Sequence, residues 1–303
     1  MTRRSLLTSF AAQSLSYRFQ MKLEDFPQAG LVLIGPSSSD YNSLVSQIKA
    51  RSSPTPPQSD FETPEDPNRS VVFINKSEKP VALLQVLWHF AFADGREAVG
   101  ACAWAGSELL LLPFDVTPQN KSAMKYSSAI LPGSKRYITN AGNVIGDNTD
   151  VRPPSDDEIA KGGGISRSGG GYLDPKPFTR LTISIEGAFF DSGEFAGTNR
   201  TKLFEQIVAE ANARAKIIEM ARQKGKSASA ILDEIQSSAR ELKTRPRPLL
   251  IPDPNMPISV YEQRAFFDLA TNIENTRAFK GDSQTLELIL NWASSELPAF
   301  RKL

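Results

Sequence analysis

Cysteine and histidine are almost missing from this 303-residue chain, which has one of each. A single cysteine excludes disulfide bonds within the chain and any metal or iron–sulfur centre that needs several cysteines. A single histidine excludes the multi-histidine metal sites of many hydrolases and oxygenases. The residues on which most metal-dependent catalysis relies are therefore lacking.

Excess charge and long apolar runs are missing too. The 35 basic and 34 acidic residues leave a net charge of +1, whereas generic binders of nucleic acid carry a basic excess. The mean hydropathy is −0.30, and no apolar run approaches the roughly 18 residues of a membrane-spanning helix. We therefore expect no membrane span and regard nucleic acid as an unfavoured partner.

The length of the chain suggests about two domains, because domains average roughly 150 residues. Its hydrophobic fraction of 40% is ordinary for a globular protein. We interpret the chain as four segments. They are residues 1–50 with one strand and one helix, a Pro-rich linker at 51–69, a β-sandwich at 70–197 and a helical module at 198–303.

The N-terminus carries an arginine pair, Arg3 and Arg4, followed by Leu6 and Leu7. This pattern resembles a twin-arginine export signal. Polar residues interrupt the following stretch, residues 8–19, and it has no small-x-small cleavage site. An amphipathic helix or a frayed tail is the alternative, so the sequence favours the cytoplasm and leaves export open.

The first fifty residues contain one strand signal and one helix signal. The apolar run at residues 31–34 ends at Gly35-Pro36 and predicts a strand. A helix is predicted next, because apolar residues recur at helical spacing: Tyr41, Leu44, Val45 and Ile48. Residues 51–69 then hold five prolines, a composition typical of a linker.

Short strands separated by turns predict an antiparallel sheet domain at 70–197. We expect strands at residues 71–74, 81–93, 109–112, 136–139 and 181–186. Asp94-Gly95 after the second strand is a strong hairpin signal. Residues 140–172 are poor in apolar residues and contain two Gly-Gly-Gly runs, so they predict a long Gly-rich loop whose composition favours disorder.

Two of these strands have distinct faces. On residues 81–93, one face is apolar and predicted to be core: Leu84, Val86, Trp88, Phe90 and Phe92. The other face, which includes Gln85 and His89, is mixed and should be partly covered. On residues 181–186, Leu181, Ile183 and Ile185 alternate with Thr182, Ser184 and Glu186.

The turn Asn75-x-Ser77-x-x-Pro80, the strand with Trp88 and the Asp94-Gly95 signal together resemble an immunoglobulin-like or fibronectin-like sandwich. The resemblance covers about 25 residues, and no cysteine pair accompanies the tryptophan. It implies a fold and no activity.

The last hundred residues read as four helices, giving an α+β protein with a C-terminal helical module. The first has an apolar stripe that includes Leu203, Ile207 and Ala215, and it should end at Gly225. Ser227 or Ser229 should cap the second helix. The third begins at a predicted capping box, residues 259–262, and ends at Gly281, after which Asp282 or Ser283 starts the fourth.

Motifs that suggest nucleophilic or nucleotide chemistry are weak. Gly225-Lys226-Ser227 is like the end of a phosphate-binding loop, but Met220 stands where the first glycine should be. His89 is the only imidazole and lies mid-strand without an identifiable nucleophile. The two Ser-x-x-Lys matches, Ser46–Lys49 and Ser122–Lys125, are about the number expected by chance, and no partner motif accompanies them.

Ion-binding and modification motifs are equally ambiguous. Gly35-Pro36 and the serines after it could cap a helix or bind an anion. Residues 147–150 and 191–194 could supply oxygens to calcium, but neither has EF-hand spacing. Residues 199–247 carry 11 basic and 6 acidic residues without interleaved aromatics. Four glycosylation sequons would matter only in a protein secreted by a eukaryote: Asn68, Asn75, Asn120 and Asn199.

No coherent catalytic, cofactor-binding or metal-binding set emerges, and we assign no residue or cofactor to such a role. We expect a non-enzymatic protein for protein–protein interaction or structural assembly, with a protein partner or self-assembly. One alternative is a hydrolase-like enzyme that uses carboxylates or hydroxyls on the sandwich loops. The other is a weak nucleic-acid or anion binder that uses the basic helical region.

Overall fold

The structure is a computed structural model that describes residues 19–51, 67–104, 129–139, 144–146, 178–242, 256–292 and 298–303. These residues form a mixed α+β fold with ten strands and five α-helices. The strands are β1 (Gln20–Glu24), β2 (Leu31–Ile34), β3 (Val71–Asn75), β4 (Val81–Phe92), β5 (Glu97–Trp104), β6 (Lys135–Ile138), β7 (Val144–Gly146), β8 (Phe178–Phe190), β9 (Glu194–Ala196) and β10 (Arg301–Lys302). The helices are α1 (Tyr41–Arg51), α2 (Leu203–Ala221), α3 (Ala228–Arg240), α4 (Ile258–Lys280) and α5 (Asp282–Trp292). Within the described part of the chain, no helix is long and apolar enough to cross a membrane.

The strands form two sheets. The large sheet has the order β10-β9-β8-β4-β5, and β1 pairs with β8 as well. The small sheet has the order β2-β3-β6-β7. Most neighbours are antiparallel, as predicted, but β1 runs parallel to β8 and β10 runs parallel to β9. Because β4 occupies one edge of β8, β1 and β9 share its other edge, one near each end.

One cluster of buried apolar side chains takes members from both sheets. The predicted core face of β4 is confirmed, because Leu84, Val86, Trp88, Phe90 and Phe92 all belong to it. Trp88 is 2% exposed, and its indole Nε1 donates a hydrogen bond of 2.6 Å to the carbonyl of Arg69. Buried Trp normally needs such an acceptor.

Helix α1 covers the other side of the small sheet. Tyr41 and Ile48 are buried there with Val72 and Tyr137, and Leu44 and Val45 pack against them. The predicted apolar stripe of this helix is therefore confirmed. The Tyr41 hydroxyl donates to backbone carbonyls of Pro67 and Ser70, at 2.8 and 3.1 Å.

The turn after β3 is organised by a buried asparagine. Asn75 is fully buried, and its Nδ2 donates to the carbonyls of Lys79 and Ile130, both at 2.9 Å. Its Oδ1 accepts from the backbone and the hydroxyl of Ser77. This sequon therefore uses its amide to hold the turn.

Helix α2 connects the large sheet to the other helices. Near its start Ile207 and Ala211 pack on the outer side of the sheet, against Leu83 and Phe189. Farther along, the helix contributes to a second cluster made with α3, α4 and α5: Ala213, Ile217 and Ala221. Because the helix changes partners along its length, its buried stripe shifts, and Ala215, which the stripe predicted as apolar core, is exposed.

The predicted helix boundaries agree with the structure in part. Ser227 caps α3, since its Oγ accepts from the backbone nitrogen of Ala230 at 3.2 Å, and Gly281 follows α4 with φ of 78°. The capping box at residues 259–262 is wrong: its N-cap would be Ser259, whereas α4 begins at Ile258, two residues earlier than the box implies, with Pro257 as N-cap and no side-chain cap. Proline is tolerated there because no intrahelical hydrogen bond needs its missing N–H.

Several predictions concern residues that the structure does not describe. The strand at 109–112 lies outside the described residues. So do residues 52–66 of the linker predicted at 51–69, residues 1–18 with the arginine pair and most of the Gly-rich loop at 140–172. The short strand β7 lies in that loop and was not predicted. The domain boundaries stay predictions.

Candidate interaction site

The polar row of β8 lies on the outer face of the large sheet, turned away from the cluster around Trp88. Alternation predicted that Thr182, Ser184 and Glu186 oppose the apolar row, and they do. However, Ser184 and Glu186 are fully buried and Thr182 is 8% exposed. Buried polar groups need hydrogen-bond partners. Whether these three side chains are available for catalysis therefore depends on which groups already bind them.

Glu186 is held by the loop that precedes α2. Its carboxylate accepts from the backbone nitrogen of Thr201, from the Thr201 hydroxyl at 2.8 Å and from the Thr198 hydroxyl at 2.6 Å. The backbone nitrogen of Asn199 donates to the Glu186 carbonyl at 2.9 Å. The carboxylate is therefore an anchor for this loop, and each of its oxygens already accepts from the protein.

Asn199 lies just before helix α2 and has a left-handed backbone conformation, with φ of 54°. Its Oδ1 accepts from the backbone nitrogen of Phe204 at 2.9 Å, and its Nδ2 donates to Glu205 at 2.7 Å. This arrangement satisfies a free N–H of the first helical turn. As at Asn75, the sequon amide has a structural role.

His89 lies on the same outer face, directly opposite Thr182 in the strand register. Its Nε2 is 3.1 Å from Oε2 of Glu97, and the two side chains are 30% and 57% exposed. Within the described residues, the buried Ser184 hydroxyl makes no hydrogen bond. A histidine-activated nucleophile needs a hydroxyl within hydrogen-bond reach of the imidazole, and His89 has no such contact among the residues that the structure describes.

The remaining motifs have structural roles where they are described. Gly225 adopts φ of 85° in the turn before α3, and Ser227 caps that helix. Lys49 of the first Ser-x-x-Lys match lies over the Tyr137 ring at 4.9 Å. The second match, residues 122–125, and the carboxylates at 147–150 lie outside the described residues.

The densest charge cluster in the helical region surrounds Arg277 of α4. Its guanidinium donates to Asp282 of α5 at 2.7 Å and to Asp233 of α3 at 2.6 Å. Donating to Asp282 and Asp233 raises the pKa of Arg277 above its ordinary value. The cluster joins three helices, and it balances one cation with carboxylates instead of presenting a basic surface.

Glu194 of β9 is the other charged centre, and it belongs to the segment considered for calcium, residues 191–194. It is 3% exposed and accepts hydrogen bonds from Lys79, from Arg301 and from the Ser192 hydroxyl. The hydrogen bond from Lys79, followed by those from Arg301 and Ser192, lowers the pKa of Glu194 to about 2. Two cations therefore occupy this carboxylate, and no group of three potential metal ligands occurs among the described residues.

Arg301, one of the two cations that bind Glu194, lies in the last six residues of the sequence. Residues 298–303, here called the tail, lie beside β9 and form the short edge strand β10. The backbone nitrogen of Arg301 donates to Gly193 at 3.3 Å, and that of Leu303 donates to Phe195 at 2.9 Å. We call the surface that holds the tail the tail groove; it consists of Phe189, Gly193, Glu194, Phe195, Phe204 and Glu205.

Side chains match between the tail and the groove. Phe300 packs edge-on against Phe189, with ring centroids 5.9 Å apart. Lys302 donates to Glu205 at 2.9 Å and lies over the Phe204 ring at 4.8 Å. Partial burial raises the pKa of Glu205, but the hydrogen bonds from Lys302 and Asn199 outweigh this effect and hold the pKa below its ordinary value.

Sequence reasoning missed this site. A tail of six residues is too short to show periodicity, and nothing in the spacing of Glu194 and Arg301 places them together. The one available signal was compositional, an aromatic residue followed by two basic residues at the end of the chain.

Comparison with known protein families, curated proteins and solved structures finds no match to this chain. The function proposed below therefore rests on the residues themselves.

Proposed function

We propose that this protein is a non-enzymatic interaction or assembly protein and that the tail groove is its binding site. The observation that carries the proposal is the tail itself, bound as an added strand at the edge of the large sheet. Proteins often recognise extended peptides in this way, with backbone hydrogen bonds supplying affinity and side-chain pockets supplying specificity.

The groove suits one class of peptide. Glu194 and Glu205 meet Arg301 and Lys302, and a cluster of aromatic rings receives Phe300. Hydrogen bonds between charged groups are about twice as strong as neutral ones. The expected ligand is therefore an extended segment with an aromatic residue followed by two basic residues.

The finer architecture belongs to the same proposal. We propose that the strands of residues 70–197 form an immunoglobulin-like or fibronectin-like sandwich, followed by a helical module. Strands β1, β2 and β10 join the two sheets from outside this range. The buried cluster shared by the two sheets supports this arrangement. Such sandwiches commonly present binding surfaces at strand edges and loops.

The alternative functions have less support. For a hydrolase-like enzyme, the carboxylates of Glu186 and Glu194 are already taken up by donors of the protein. For an anion binder, Lys226 of the basic region pairs with Glu234, and Lys243, Arg245 and Arg247 lie outside the described residues.

A peptide-binding measurement tests the proposal with the full chain. The double variant Arg301→Glu/Lys302→Glu places carboxylates against Glu194 and Glu205, which should release the tail by repulsion. A fluorescent peptide of residues 298–303 should then bind this variant saturably. It should bind the wild-type chain more weakly, because an attached tail competes at an effective concentration of about millimolar.

Adding Glu194→Gln to the released variant should weaken the peptide about tenfold or more. A hydrogen bond to a charged group is worth about 1.5–3 kcal/mol, and about 1.4 kcal/mol corresponds to tenfold. Glu78→Gln, an exposed carboxylate next to Lys79, is the matched control and should leave affinity unchanged. If the folded, released variant does not bind the peptide, the proposal is wrong.

A further inference from the structure

The residues that line the tail groove contact one another without any help from the tail. The rings of Phe189 and Phe195 are 4.9 Å apart, and Phe204 lies 6.0 and 5.5 Å from them. Glu194 is held by Lys79 and by the Ser192 hydroxyl at 2.9 Å. The walls of the groove therefore come from β8, β9, α2 and the turn before β4, and they contact each other independently of residues 298–303.

The groove also lets the backbone of the tail approach it closely at Gly193. At Gly193, which has φ of 87°, an added Cβ would lie 2.8 Å from the Ala299 carbonyl oxygen and 2.8 Å from Cβ of Pro298. Only glycine lets the tail approach at this distance. The shape at Gly193 thus suits a passing backbone and not a side chain.

The tail itself remains largely on the surface. The side chains of Arg301 and Lys302 are 70% and 47% exposed, and Leu303 is 67% exposed. The contact consists of a few backbone hydrogen bonds, two ion pairs and one aromatic ring. Because so few contacts hold it, the tail can detach from its own groove, as weakly held segments at chain ends do.

The same contacts are available to the tail of any second copy, because its sequence is identical. We infer that the tail groove of one copy accepts the tail of a second copy, so that two chains assemble by reciprocal exchange of their C-terminal strands. Exchange of an identical element is a low-cost route to a dimer, because each copy regains the contacts that it gives up. This inference rests on the proposed function and names its partner.

Complementation between two disabled full-length chains tests the exchange. The chain Arg301→Glu/Lys302→Glu has an intact groove but a tail that no groove should hold. The chain Glu194→Gln has an intact tail but a weakened groove. Each chain alone should be monomeric in light scattering, whereas their equimolar mixture should contain a 1:1 complex with twice the mass of one 33.2 kDa chain.

The control is a chain with all three substitutions, which should form no complex with either partner. Tryptophan fluorescence reports on the folding of every chain, since Trp88, one of its three tryptophans, is in the core. A mixture that stays monomeric while both chains are folded would overturn the inference, and so would a complex that persists with the triple variant. Binding of the free peptide without a mixed complex would reject exchange alone, whereas absence of peptide binding would reject the proposed function as well.

Discussion

The strand-rich region and the helical region keep their polar side chains in different places. Among the described residues, eleven polar or charged residues are buried; nine lie between Ser70 and Thr201, and only Arg214 and Thr285 lie in the helices that follow. Helices satisfy most of their backbone groups internally, so an apolar stripe suffices to pack them. Turns and strand ends leave backbone groups unpaired, and buried side chains such as Asn75 and Glu186 satisfy them.

Because of this difference, the two regions should respond differently to substitution. The sheets depend on hydrogen-bond geometry as well as on apolar packing, whereas the helices depend mainly on packing. Helix α2 is the exception, because it packs against both the sheet and the other helices. Three experiments test the comparison.

The largest effect is expected for Trp88→Ala. Truncating a buried Trp costs about 3–5 kcal/mol through the lost apolar contacts and the cavity. If the two regions are separate domains, calorimetry should show one transition shifted down by about 10 °C and a second near its wild-type temperature. Ile273→Ala, at a fully buried residue of α4, should shift the other transition.

A single transition that both variants shift equally would contradict the separation. It would show that α2 couples the sheet to the helices as one cooperative unit. The contrast in buried polar groups would then describe two parts of one domain.

A smaller effect is expected for Glu186→Ala. The variant leaves the backbone nitrogen of Thr201 and the Thr198 hydroxyl without their acceptor, whereas the Thr201 hydroxyl keeps Gln85 at 3.2 Å. An unsatisfied buried group costs about 1–3 kcal/mol. Urea unfolding should show this loss of stability. Asp268→Ala in α4 is the helical control, because its side chain is 61% exposed and pairs with Arg264 at 3.4 Å. It should change stability by less than about 1 kcal/mol. Equal losses for the two variants would argue against the polar contrast between the regions.

The smallest effect is expected for His89→Gln. The pair of His89 and Glu97 is at the surface, where such pairs contribute roughly 0–1 kcal/mol. The free energy of unfolding, measured in urea at neutral pH, should change by less than about 0.5 kcal/mol. In the Arg301→Glu/Lys302→Glu chain, His89→Gln should leave the affinity for the tail peptide unchanged. An intact fold with lost peptide binding would instead place His89 in the function, which no contact to the tail groove now suggests.

Local patterns predicted a large part of the fold. Alternation identified the core face of β4 around Trp88, and helical spacing identified the buried side of α1 at Tyr41 and Ile48. These patterns work because strand and helix periods decide which side chains share a face. Turn residues such as Gly95, with φ of 82°, and Gly281 marked ends of elements for similarly local reasons.

Other features could not be predicted from the sequence. Alternation placed Thr182, Ser184 and Glu186 on one face, but it could not tell that a loop 12 to 15 positions beyond Glu186 binds its carboxylate. The capping box before α4 failed because the N-cap is Pro257, two residues before Ser259. Period and propensity contain no information about which distant segment covers a face.

Composition and local spacing were enough to exclude multi-cysteine and multi-histidine chemistry and to predict the α+β class and the faces of β4, β8 and α1. These features depend on composition and on contacts within a few residues. The pairing of Arg301 and Lys302 with β9, and the contact of Arg301 with Glu194 across 107 positions of the chain, arise only in the folded tertiary structure. The physical reason is that a short strand has no stable structure of its own; its conformation comes from the sheet edge, the carboxylates and the aromatic rings that receive it.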